Sequence, residues 1–175
     1  MTYTLVPFKP CPFIDNAIAE FTPGRQIECR WRLDGNIDAI RWPVVTDNPR
    51  RVHGLWHSTC FEWFLGPTTF DQYIEFNLSP SQDWNAFHFD GLRRGMIEAS
   101  GIQPLSVVVH HGAREALIEA HIALDGPPPS PAHLGLSAVI EDTDGGLHYF
   151  ALAHATATPD FHHPDNHVTL PAAES

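Results

Sequence analysis

LWHSTCFEWFLGPTTFDQYIEFNLSPSQDWNAFHFDG, residues 55–91, decides the fold. The stretch is rich in aromatics, yet Glu62, Glu75 and Asn77 stand in the middle of strand-like runs. A charged group inside a strand is costly unless it meets water, a partner or a ligand. Residues 59–65 and 73–79 read as an antiparallel pair joined by the turn-forming GPTTFDQ. Side chains alternate between the two faces of a strand, and residues opposite each other share a face. Phe61, Trp63 and Leu65 therefore join Ile74, Phe76 and Leu78 on an apolar face. Cys60, Glu62 and Phe64 join Tyr73, Glu75 and Asn77 on the other, with Glu62 expected opposite Glu75. A slip of one residue would mix the two sets and bury the carboxylates among aromatics.

The next turn, SPSQD, leads into WNAFHFD. With Phe87 and Phe89 on the apolar face, Trp84, His88 and Asp90 are expected beside Glu75 and Asn77. That face then carries aromatic rings, carboxylates, an amide and an imidazole, which is the chemistry of a sugar site. A flat ring stacks on the apolar side of a pyranose, and carboxylates and amides bond its hydroxyls. The alternative is a solvated sheet face with Arg93 and Arg94 folded over to neutralise the acids.

Outward from this block, the rest of the chain reads as more strands. IECRWRL alternates, with Ile27, Cys29, Trp31 and Leu33 inward and Glu28, Arg30 and Arg32 outward. TYTLVPF precedes it, and IDAIRW is expected to extend it. LSVVVHH, EALIEAHI, LGLSAVIE and LHYFALAH follow. GLRRGMIEAS is short and interrupted by glycine, and is expected to form one short helix. The 16 prolines, about twice the usual share, fall between or beyond the strand runs. About nine or ten short strands with no long helix call for two packed antiparallel sheets, an all-β two-sheet sandwich or jelly roll. The length of 175 residues suits one domain, 1–175, with an ordered core over about 3–170 and a frayed tail after Leu170.

Lys+Arg 10 against Asp+Glu 21 gives a net charge of −11, which argues against nucleic acid or an anionic membrane as partner. There is no apolar run of about 20 residues and no signal-peptide pattern. Cys11, Cys29 and Cys60 are odd in number and widely spaced, as expected for reduced thiols in a cytoplasmic protein. Oligomeric state is not legible.

Several of these motifs resemble a known family. LWHSTCFEWFL, YIEFNLSPSQDWNAFHFDGLRRGM, LGLSAVIEDTDG, and LHYFALAH followed by PDFHHPDNHVTL look like the bacterial DOMON-like proteins, which are similar to family-9 carbohydrate-binding modules. The resemblance spans residues 3–170 in order. It implies a single β-sandwich of the sugar- or haem-binding superfamily, and a small carbohydrate or sugar-like metabolite as partner. In those modules tryptophans sandwich a sugar while carboxylates or amides bind its hydroxyls. Glu62, Glu75, Asn77 and Trp84 match those roles by motif position, with Trp56 as a second ring. His88 and Arg93 complete the expected ligand-binding set.

Three other chemistries have candidates. Haem would need axial ligands, and Met96 with His154 is the pair that looks suitable. A divalent metal could draw on His154, His162, His163 and His167, although their spacing fits no closed zinc pattern. Catalysis has no nucleophile, phosphate-loop or dinucleotide motif behind it. Glu62 and Glu75 are the one carboxylate pair, and directly opposed strand residues leave little room for a sugar between them. The sequence therefore favours non-catalytic carbohydrate binding over a haem or metal module, and over an interaction domain without a small ligand.

Overall fold

The computed structural model describes residues 1–172. The tail expected to fray lies, from residue 173 on, outside the described residues. Among the described residues thirteen strands form two antiparallel sheets, the architecture expected for an all-β sandwich. The smaller sheet runs in the order β1 (Thr2–Thr4), β3 (Ile14–Thr22), β4 (Gln26–Gly35), β10 (Glu115–Leu124), β9 (Ile102–His111). The larger runs β2 (Val6–Pro7), β12 (Leu147–Ala151), β11 (Ala132–Glu141), β5 (Cys60–Pro67), β6 (Tyr73–Leu78), β7 (Trp84–Phe89), β8 (Ile97–Glu98). A last strand, β13 (Val168–Leu170), pairs with the start of β11.

Alternation explains how the smaller sheet packs. In β4, Ile27, Cys29, Trp31 and Leu33 are buried while Glu28, Arg30 and Arg32 face solvent. On the outer face Arg30 bridges Glu20 of β3 at 3.3 Å and Glu119 of β10 at 2.5 Å. The inner faces of the two sheets meet in one core cluster. Trp31 lies against Phe61 with ring centroids 5.6 Å apart, and Phe21 against Trp63 at 6.2 Å. Burial of this apolar surface is the main driving force for folding.

Two local expectations change. GLRRGMIEAS is not a helix: positive φ at Gly91, Arg93 and Gly95 turns the chain sharply, and it continues into β8. Helical residues cannot adopt that backbone. IDAIRW leaves the sheet as a single 3-10 turn, Ile37–Ala39, instead of extending β4.

The outer face of the larger sheet is what positions the site. It is covered by chain from two places: residues 52–58, including the 3-10 turn Leu55–His57, and the segment 154–167 near the end of the chain. Phe64, Tyr73, Phe87 and Phe89 form a second cluster there with Trp56 and Phe161. Leu55, Cys60 and Val139 form a third with Tyr149 and the same Phe161.

Candidate ligand-binding cleft

Strands β5 and β6 place Glu62, Glu75 and Asn77 on the covered face, and Phe61, Trp63, Leu65, Phe76 and Leu78 on the core face. The exact pairing differs from expectation by two residues. Glu62 lies opposite Asn77, and Glu75 lies opposite Phe64. A two-residue shift preserves the face, so the carboxyls remain neighbours on a diagonal, about 7–8 Å apart at the backbone. That leaves more room between them than direct opposition would.

The face is polar yet dry. Glu62 is 2% exposed, Glu75 5% and Asn77 0%. Asn77 Nδ2 donates to Glu75 Oε1 at 2.7 Å, and the Ser137 hydroxyl of β11 donates to Glu62 Oε2 at 3.2 Å. Glu62 Oε1 is buried without a partner. Burial, reinforced by the charge of Glu75, pushes the Glu62 carboxyl well above the usual range, against the bond from Ser137. Burial likewise pushes Glu75 up to about 7, opposed by the bond from Asn77 and the charge of Arg93. A buried, unpaired carboxylate favours its neutral form for this reason.

Strand β7 corrects the sequence reading. Its register pairs Asn77 with Asn85, Glu75 with Phe87 and Tyr73 with Phe89. Phe87 and Phe89 therefore lie on the covered face, and Trp84 and His88 belong to the opposite one. Trp84 packs in the core on Phe76, with ring centroids 5.9 Å apart and the Arg51 guanidinium 4.3 Å from its centroid. His88 sits opposite Ile74 and Ile97, and Asp90 is exposed. The turn sets this register: Ser79 N–H donates to the Asp83 carbonyl and Gln82 takes positive φ, so Leu78 pairs with Trp84.

A cleft of about 460 Å³ opens above Glu62 and Glu75. Trp56, Phe64, Phe89, Tyr149 and Phe161 supply aromatic walls, and Arg93, Met96 and His162 also border it. Of the expected ligand-binding residues, Trp56, Glu62, Glu75 and Arg93 line the cleft. Asn77 supports its floor through Glu75, and Trp84 and His88 lie elsewhere. Sequence reasoning missed Tyr149, Phe161, Phe64 and Phe89 as walls, and placed His162 only among metal candidates. Asn85, polar and fully buried with the parity of Asn77, was the available clue to the true register of β7.

The segment that forms one wall is held by polar contacts. Arg93 donates from Nη2 to Asp160 Oδ1 at 2.6 Å and from Nε at 3.2 Å, instead of neutralising the two glutamates. Arg94 reaches only the Asp90 carbonyl, at 3.5 Å. Asn166 Nδ2 donates to the Asp160 carbonyl at 2.6 Å. The Tyr73 hydroxyl accepts from the Arg93 backbone N–H at 3.2 Å and contacts His162 Nδ1 at 2.7 Å. The other ring nitrogen of His162, Nε2, lies 3.7 Å from Glu75 Oε2. Burial and the charge of Arg93 hold the His162 imidazole down to about 3, hence neutral.

Hydrogen bonding also fixes an imidazole pair. His167 Nε2 donates to the Phe161 carbonyl at 2.8 Å, so His167 Nδ1 accepts from His133 Nδ1 at 2.8 Å. Burial lowers His133 to about 3 and His167 to about 4. The rings fit because two strand positions lack a Cβ. One added at Gly66 would lie 2.6 Å from His133 Nε2, and one at Gly135 would lie 2.5 Å from His167 Nε2.

Each residue of the expected metal set has at least one ring nitrogen engaged. His162 and His167 are engaged as described, His163 Nδ1 accepts from the Asp165 N–H, and His154 Nε2 contacts the Val6 carbonyl. Among the described residues no group of three or more His, Cys, Asp or Glu side chains is placed to hold a metal ion. The residues do not fit a haem held by Met96 and His154 either. Met96 borders the cleft, whereas His154 packs its ring edge-on to Phe8 outside it. Burial pushes the Cys29 and Cys60 thiols up, away from reactive thiolate. No helix among the described residues is long and apolar enough to cross a membrane.

Comparison with solved structures places the fold. A candidate carbohydrate-binding protein from Bacteroides uniformis superposes with a TM-score of 0.67 at 14% identity, over 97% of this chain and 84% of that one. A family-9 carbohydrate-binding module from Caldicellulosiruptor kristjanssonii, in complex with cellotriose, superposes with a TM-score of 0.50 at 9% identity, over 90% of this chain and 74% of that one. No family model matches the chain, and no curated protein matches it by sequence. At these identities the likeness is one of fold: the chain is a β-sandwich of the kind used by family-9 carbohydrate-binding modules.

Proposed function

We propose that this is a non-catalytic protein that binds a small carbohydrate or sugar-like metabolite in the cleft above Glu62 and Glu75, within the DOMON-like branch that its motifs resemble. One observation carries the reading: a cleft with aromatic walls over a buried polar floor that retains an unpartnered acceptor, Glu62 Oε1. Its volume of about 460 Å³ falls in the range of small-molecule sites. Trp56 is the tryptophan placed to stack on a ring, with Phe64 and Phe89 as further apolar surface. Arg93 and the neutral His162 offer donors to hydroxyls, and the acids offer acceptors. The structural neighbours support the reading through their fold and through the sugar chemistry named for them.

Calorimetric titration with a panel of mono- and disaccharides tests the proposal. At least one should bind with a dissociation constant between micromolar and millimolar, about −8 to −4 kcal/mol. Trp56 fluorescence should change on binding, and Trp56→Ala should remove that response. A broad panel giving neither heat nor a Trp56-dependent signal would overturn carbohydrate binding.

A further inference from the structure

The cleft floor has more acceptors than donors. Glu62 lines the cleft, and its Oε1 is buried without a partner. Glu75 Oε2 lies 3.7 Å from the His162 imidazole, beyond hydrogen-bond reach. The strong donors from the sheet are one hydroxyl, Ser137, and one amide, Asn77, and each already serves the other oxygen of its acid; the Cys60 thiol beside Glu62 adds only a weak donor. Arg93 borders the cleft but gives two bonds to Asp160, which offsets its charge. Above the acids stand the rings of Trp56, Phe64, Phe89, Tyr149 and Phe161, whose faces attract cations. A buried carboxyl pair left short of donors and surrounded by aromatic rings is complementary to an ammonium group.

We propose that the ligand of this cleft is an amino sugar, whose protonated amine is received by Glu62 and Glu75 while its ring lies against the aromatic wall. The inference rests on the carbohydrate reading above and adds the charge of the ligand to it. It also entails a proton movement. The groups facing the two acids are Cys60 and Asn77 of the same strand pair, Ser137 of β11, Tyr73, Arg93 with its partner Asp160 behind it, and His162, with His57 and Tyr149 on the other walls. Among these, burial favours the neutral form of both acids. An arriving ammonium favours the carboxylate, so a proton leaves a glutamate for solvent as the cation enters.

Calorimetry at pH 6 with glucosamine, galactosamine, their N-acetylated forms and glucose tests this, run in two buffers of different ionisation heat. The expected result is that a hexosamine binds about tenfold or more tightly than its N-acetylated form, and that its heat depends on the buffer as release of about one proton requires. The neutral sugars should show no such dependence. Glu62→Gln and Glu75→Gln keep the shape of the neutral acid, and an unchanged thermal midpoint at pH 4 verifies their fold. Each should erase most of the preference for the amine, and Glu75→Gln should also reduce the proton release. Neutral sugars binding as tightly as hexosamines, or hexosamines binding without proton release, would overturn this inference and leave carbohydrate binding standing. Failure of every sugar, charged or neutral, would overturn both.

Discussion

The two faces of the larger sheet are equally buried but chemically opposite. On the core face Trp63, Phe76 and Trp84 form a continuous stack, with Trp63 and Phe76 centroids 5.3 Å apart and nearly parallel. On the covered face, one residue along each strand, Glu62, Glu75, Asn77 and Ser137 are all buried. Burial of apolar surface stabilises the first face, whereas burial of carboxyls costs free energy on the second. The contrast shows that exposure alone does not separate core from site. A buried polar face that opens onto a cleft lowers stability relative to an apolar one.

That contrast can be broken by mutation. The largest effect should come from the core face: Trp63→Ala should lower stability by about 3–5 kcal/mol in chemical denaturation. Trp56→Ala, at the cleft, should cost less than about 1 kcal/mol while removing ligand binding. Equal losses would mean that Trp56 is core and that the two faces are not distinct in role.

The covered face should respond in the opposite direction. Glu75→Gln removes a carboxyl whose folded-state pKa is raised to about 7, so it should stabilise the protein by roughly 1–3 kcal/mol at pH 8 and have almost no effect near pH 4. Destabilisation at pH 8 would show that the acid is paired rather than strained.

A third effect should appear in the pH profile. His133, His162 and His167 have lowered folded-state values, so below about pH 6.5 the unfolded chain takes up protons that the folded one refuses. Stability should fall as pH drops from there towards 3–4. Glu62 and Glu75 have raised values, so the folded chain keeps protons that the unfolded one loses, and stability should fall as pH rises through about 7. Between about pH 5 and 6.5 three imidazoles outweigh two carboxyls, a net change of about 1–2 kcal/mol, and the maximum should lie near pH 6.5. Denaturant midpoints across pH 4–8.5 would expose a monotonic profile if the opposition is absent. The smallest change belongs to the rim: Arg93→Met should cost under about 1 kcal/mol, since the pair with Asp160 is half-exposed at the arginine.

Much of the sandwich was legible because apolar and polar residues alternate cleanly in β4, β5 and β6. The pairing partner of Glu62 was not, because a two-residue shift leaves every side chain on the same face and so leaves no trace in the pattern. Strand β7 misled for a different reason. WNAFHFD carries bulky aromatics at both parities, so hydrophobicity cannot choose a face, and the choice fell to the turn Ser79–Asp83 and to the buried amide of Asn85. The walls from Tyr149 and Phe161 were hidden because they come from distant sequence, and nothing local in LHYFALAH or PDFHHPDNH announces what they cover.

The distant origin of that wall has a bearing on how the protein is made. The floor strands are synthesised between residues 60 and 89, whereas Phe161, His162 and His167 leave the ribosome some 70 to 100 residues afterwards. Throughout that interval Glu62 and Glu75 lack the wall that Phe161 and His162 supply, while Phe64, Tyr73, Phe87 and Phe89 already have one another and Trp56 to pack on. The cleft is complete once Pro159, Phe161 and His162 lie over the floor. A chain lacking the segment 154–167 would have the floor of the cleft without that wall.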